Sequence, residues 1–110
     1  MAEERLTSRQ RMRALFTGEP LDRVPCVPFA MAYAAKVSGV GLKDFYTDVE
    51  ACYSAQRLAA EKHGYEGSPN YGFASFGGAE FGGEVMYPED ERLQAPMVMK
   101  PGLDTYEKVE

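Results

Sequence analysis

The sequence predicts an α/β fold, and three observations carry that prediction. Segments 7–17 and 48–63 each join a side-chain start signal to apolar residues at helical spacing and a glycine stop. Short apolar runs near 24–29, 84–87 and 97–99 have the length and residue types of strands. The composition, 45% hydrophobic and 26% charged over 110 residues, is that of a chain that packs a core rather than one that stays disordered.

The elements follow in order. Thr7 with Gln10 three places on is a capping box. Met12, Leu15 and Phe16 continue at helical spacing, and Gly18 and Pro20 close the element, so a helix is expected over about 7–17. Its arginines, Arg9, Arg11 and Arg13, read as a solvated face. In "DRVPCVPF", Pro25 and Pro28 each lack an N–H, which forbids a central strand and leaves a short strand or extended arm near 24–29. "AMAYAAKVSG" predicts a two-turn helix ended by Gly39. Thr47 with Glu50 forms a second capping-box pattern, predicting a helix from about 48 to 63 that stops at Gly64. Val49, Cys52, Tyr53, Ala59 and Ala60 are its expected apolar stripe. "YEGSPNYGF" is expected to be extended and interrupted by Pro69. The runs 84–87 and 97–99 predict a hairpin around a long polar connection containing Pro88, Asp90 and Pro96. Asp104 with Glu107 is a further helix start, followed by too few residues for a stable helix in water. That mismatch is read as truncation inside a larger fold.

Charge and motifs narrow the function. A net charge of −5 with no basic face argues against nucleic acid as a partner. No apolar run approaches the roughly 20 residues needed to span a bilayer, so no membrane role is expected. The charged start "MAEERLTSRQRMR" lacks the apolar core of a signal peptide, and a cytoplasmic location is expected. Cys26 and Cys52 are expected to be free thiols. His63 suits a helix C-terminus, where its charge would favour the dipole. No H-x-C, C-x-x-C or H-E-x-x-H spacing occurs, so no metal site is expected from this chain alone. "FGGAEFGGE" (76–84) invites a phosphate-loop reading that its spacing rejects. Gly77 and Gly82 are followed by Gly83 and Glu84, where a P-loop requires Lys and Ser or Thr. The glycines are then expected to permit tight turns.

Two stretches carry a family resemblance. "LTSRQRMRALFTGEPLDRVP" resembles the opening of the uroporphyrinogen decarboxylase superfamily, with Thr7, Arg9, Arg11, Ala14, Gly18, Asp22, Arg23 and Pro25 in order. "AEFGGEVMYPEDERLQAP" is similar to a second family segment through Gly82, Glu84, Val85 and Pro96. The resemblance implies a (β/α)8 TIM-type barrel, of which residues 1–110 would form the N-terminal part, the barrel being incomplete within this chain. It also implies that "FGGAEFGGE" is a short helix and turn leading into the hairpin, with Phe76 and Phe81 packing below.

The decarboxylases of the family carry an arginine-rich segment after the first strand and an Asp ahead of the second motif. Here residues 29–40 contain no Arg, and Phe73 stands near the acid's position. The resemblance therefore points to the corrinoid-linked methyltransferase branch. Its members move a methyl group between a corrinoid protein and a thiol or pterin acceptor, and the thiol users employ zinc. The zinc ligands, H-x-C and a later Cys, belong to the family's C-terminal half and do not match His63, Cys26 or Cys52. No catalytic residue is assigned to this chain. Tyr33, Asn70 and Tyr71 are the expected lining of the barrel mouth. The alternatives are a true decarboxylase of tetrapyrrole biosynthesis and a non-catalytic small domain that self-associates. Homo-oligomers of the chain by itself are expected on either reading, because strands cut from a sheet recruit other chains.

Overall fold

The computed structural model describes residues 3, 5–71, 77–89 and 95–109. Helix α1 spans Ser8–Thr17 and starts as the sequence predicts. The Thr7 hydroxyl accepts from the Gln10 amide, and the Gln10 side chain accepts from the Thr7 amide. Gly18 ends it in the left-handed conformation at φ 72°, a position that suits a residue without Cβ. Helix α2 spans Met31–Ser38 and closes at Gly39 in the same way. A one-and-a-half-turn helix α3, Leu42–Thr47, runs into α4, Val49–His63, which closes at Gly64.

The start of α4 differs from the expected capping box. Asp48 is the N-cap, and its carboxylate accepts from the Glu50 and Ala51 amides. Thr47 is the last residue of α3, and its hydroxyl donates back to the Lys43 carbonyl. A residue already inside a helix lacks the extended backbone that a cap needs.

The core lies where α2, α3 and α4 meet. Met31, Ala34 and Ala35 of α2 pack with Phe45 and Tyr46 of α3 and with Cys52, Ala55 and Ala59 of α4. The alanines let α2 and α4 approach closely along their length. Val49 and Tyr53, expected in the α4 stripe, are 48% and 40% exposed. The buried residues Cys52, Ala55 and Ala59 follow i, i+3, i+7 spacing and centre about a quarter turn away from those two. α1 differs more. Leu15 and Phe16 are exposed, and Arg11 and Ala14 are its buried residues.

Between α1 and α2, where a short strand or extended arm is expected near 24–29, the chain runs as an arm without a strand. One backbone hydrogen bond ties it to the 65–71 segment, from the Glu66 amide to the Cys26 carbonyl at 2.8 Å. Pro28, which lacks an N–H, explains why no ladder extends beyond that bond on its side.

The hairpin is present. β1 (Glu84–Met86) pairs antiparallel with β2 (Met97–Lys100), Val85 opposite Val98, with a bulge that skips Met99. It is entered through hydrogen-bonded turns over 77–83, with Gly77 and Gly82 at positive φ. No helix is assigned there, and Phe81 is exposed rather than packed below. Phe73 and Phe76 lie outside the described residues. Gly83 is required sterically: a Cβ there would stand 2.6 Å from the Gly78 carbonyl oxygen and 2.8 Å from that of Lys100. Beyond β2, the expected helix start is a single 3-10 turn, Tyr106–Lys108, with Lys108 paired to Asp104.

The molecule is open in outline. Its radius of gyration is 17.9 Å, against about 13 Å for a closed domain of this length. No helix among the described residues is long and apolar enough to cross a membrane.

Candidate functional site

The most constrained chemistry in the structure surrounds the arm. Arg11 points from the inner face of α1 and is 1% exposed. Its guanidinium donates to both oxygens of Asp22, at 2.7 Å from Nε and 2.8 Å from Nη2. Nη2 also reaches the Leu6 carbonyl, and Nη1 donates to Glu66 Oε1 at 2.6 Å. Glu66 lies beyond α4, and its side chain is fully buried. It also receives Arg23 Nη2 at 2.6 Å on Oε1, Arg23 Nη1 at 3.0 Å on Oε2 and the Cys26 amide at 2.7 Å on Oε2. Asp22 is filled in turn by the Arg5, Leu6 and Arg23 amides.

Two arginines and two carboxylates thus form one neutral cluster. No buried side-chain N or O atom among the described residues lacks a hydrogen-bond partner. Charge-assisted bonds of this kind are short and strong. The Arg11 hydrogen bond holds the Asp22 carboxyl well below its ordinary range, despite burial. Burial pushes the Glu66 carboxyl up, but the hydrogen bonds from Arg23, the Cys26 amide and Arg11 outweigh it and bring the carboxyl down to about 2. Every member of the cluster is used within the cluster. Its role is to fix α1, the arm and the 66 segment to one another, and so to aim the chain that leaves the arm into α2.

Arg11 was expected on a solvated face and belongs to this buried cluster. The signal was present in the spacing. At about 100° per residue, Arg9 and Arg13 share one face and Arg11 lies opposite, near Ala14. Glu66 gave no local signal, because its side-chain partners Arg11 and Arg23 are more than 40 residues earlier.

A cleft of about 370 Å³ lies beside the cluster, between the arm at Val27–Pro28, the Gln56–Glu61 side of α4 and the 64–69 segment. Arg57, Glu61 and Ser68 are among its polar lining.

The three expected mouth residues fall at two places. Tyr33 is half exposed, and its hydroxyl sits 2.9 Å from His63 Nε2 at the C-terminal end of α4. The His63 ring stacks in turn on Tyr65. Asn70 and Tyr71 lie toward the other end of α4. The Asn70 amide donates to the Gln56 side chain, and its carbonyl accepts from Gln56 and the Cys52 thiol. The Tyr71 hydroxyl donates to the Tyr46 carbonyl at 2.9 Å. Cys52 and His63 are eleven residues apart on one helix, which is about 16 Å. The structure therefore brings Asn70 and Tyr71 together and leaves Tyr33 apart from them.

The donor set does not fit a zinc centre. Cys26 is exposed on the arm, while Cys52 faces the core, where burial raises its thiol pKa. No group of three or more His, Cys, Asp or Glu side chains suited to a metal occurs among the described residues.

Comparison with known proteins adds one decisive observation. The family model described as uroporphyrinogen decarboxylase (URO-D) matches residues 7–110. The chain belongs to the uroporphyrinogen decarboxylase family. No curated protein and no solved structure matches it. Membership of this family gives the clustered residues a second meaning. Arg11, Asp22 and Arg23 all come from the first stretch that carried the resemblance; Arg11 and Arg23 meet at Glu66, and Asp22 pairs with Arg11. The helices and short strands are compatible with part of the family's barrel.

Proposed function

We propose that this chain is the N-terminal part of a methyltransferase-type member of the uroporphyrinogen decarboxylase family, moving a methyl group between a corrinoid protein and a thiol or pterin acceptor. The observation that supports this reading is the chemistry of α2, the element that the clamped arm delivers. A decarboxylase that holds a substrate bearing several carboxylates needs guanidinium groups at that place. α2 offers Lys36 as its only cation, in its last turn, and turns Met31, Ala34 and Ala35 into the core.

The residues present contribute a frame. The Arg11–Asp22–Arg23–Glu66 cluster holds the arm, and Tyr33, Asn70 and Tyr71 supply polar groups near the ends of α4. In the thiol-using relatives zinc lowers the pKa of the acceptor thiol. Among the described residues no group of side chains fits that ion, so a zinc would take its ligands from elsewhere in the whole protein.

The test uses protein expressed from its whole reading frame. It is given a methylated corrinoid protein with a thiol, and separately a porphyrinogen. Loss of methyl from cobalt, followed by visible absorbance, with no coproporphyrinogen formed, supports the reading. Coproporphyrinogen formation overturns it in favour of decarboxylation.

A further inference from the structure

Pro28 ends the backbone pairing of the arm with the 65–71 segment, and Pro69 removes a further donor from that segment. Asn70, the next residue, finds partners for both of its backbone groups on a helix side chain instead. Its N–H donates to Gln56 Oε1 at 3.0 Å, and its carbonyl accepts from Gln56 Nε2 at 2.8 Å. A neighbouring strand offers one residue a donor and an acceptor together in the same way. The carboxamide of glutamine carries these two functions side by side, and because an amide N–H can only donate, the contact fixes which end of Gln56 is oxygen.

Gln56 is itself held in place. It is half-buried in the middle of α4, and Nε2 also lies 3.0 Å from Cys52 Sγ and 3.3 Å from the Cys52 carbonyl, one turn back. Cys52 is packed in the core, and its thiol reaches the same Asn70 carbonyl at 3.6 Å. The core therefore sets the place of Asn70 through two side chains of one helix. Tyr71 is tied separately, to the Tyr46 carbonyl of α3. Among the described residues the hydrogen bonds of Asn70 all use its backbone, and none uses its carboxamide.

We propose that Gln56 is a positioning residue: by clamping the Asn70 backbone it fixes how the Asn70 carboxamide is presented to the methyl acceptor. This rests on the reading that Asn70 and Tyr71 line the mouth of a methyltransferase. A carboxamide brings two donor hydrogens and an acceptor oxygen to a polar substrate. Such a group aids binding only while its geometry is held. With Pro28 and Pro69 unable to donate, the Gln56 clamp supplies that hold.

The test compares the parent, Gln56→Glu and Gln56→Met in protein expressed from the whole reading frame. Glutamate keeps the oxygen that accepts from the Asn70 N–H, whereas methionine keeps the length and removes both partners. In hydrogen exchange the Asn70 amide of Gln56→Met is expected to exchange about tenfold faster, the loss of one hydrogen bond. The Glu66 amide, bonded to the arm, should keep its parental rate, and Gln56→Glu should leave Asn70 slow. In methyl transfer from a methylated corrinoid protein to a simple alkyl thiol, Gln56→Met is expected to raise KM for the thiol about fivefold, with kcat and helix content retained and a smaller rise in Gln56→Glu. Equal acceleration at Asn70 and Glu66, or a parental rate at Asn70, overturns the proposal. So does a fall in kcat with KM unchanged, the mark of a merely structural side chain. A parent that transfers no methyl overturns the functional reading instead, and the exchange rates, with KM for a porphyrinogen in the same variants, then decide the role of Gln56.

Discussion

Glu66→Gln removes one charge from the buried cluster while nearly preserving its shape. The wild-type carboxylate receives Arg11 Nη1, both terminal nitrogens of Arg23 and the Cys26 amide. Glutamine keeps one acceptor oxygen and turns an NH2 group toward donors. Arg11, 1% exposed, is left with Asp22 as its single anion. Removing one partner of a buried pair costs about 3–5 kcal/mol. The acid titration gives a consistent figure. A carboxyl lowered from 4.5 to about 2 carries about 3 kcal/mol of folding stability.

The sign is fixed by linkage. The folded carboxyl has the lower pKa, so the unfolded chain takes up the proton first. The stabilisation is complete above pH 4.5 and is lost as pH falls toward about 2. Urea unfolding followed by far-ultraviolet circular dichroism, from neutral pH downward, measures both effects. The variant is expected to be less stable by about 3 kcal/mol at neutral pH, with a flatter loss of stability below pH 4.5 than the parent. A variant within about 1 kcal/mol of the parent, or one with the same acid slope, would refute the assignment of Glu66 as the buried hub.

Three further outcomes are expected. Asp48→Ala should cost about 1 kcal/mol as the loss of an N-cap, seen as a lower thermal midpoint, and Thr47→Ala should cost clearly less. Gly83→Ala should destabilise the hairpin by about 1–3 kcal/mol through overpacking, read as faster hydrogen exchange at Val85 and Val98. Elemental analysis of the purified 110-residue chain should find no stoichiometric zinc, since no H-x-C or comparable ligand spacing is present; one tightly held zinc lost on Cys26→Ala would contradict this.

Where signals are local, the sequence sufficed. The Thr7–Gln10 box and the Gly18, Gly39 and Gly64 stops depend on neighbours a few residues away, and the hairpin at 84–86 and 97–100 joins strands that are consecutive along the chain. The family likewise could be read from two short stretches. Tertiary packing decided the rest. The choice of Asp48 over Thr47 as cap depended on α3 running through Thr47. The turn of α4 toward Cys52, Ala55 and Ala59 depended on alanines of α2 arriving opposite them.

The same division holds at the site. By itself the sequence determined α1, α2 and α4, their glycine stops and the charged residues of the first motif, because helix capping and periodicity are short-range. Only the tertiary structure decided that Arg11 is buried and that Glu66 receives it together with Arg23. A buried charge is tolerable only when its partners surround it, and here those partners come from three segments that sequence places far apart: α1, the arm and the stretch beyond α4.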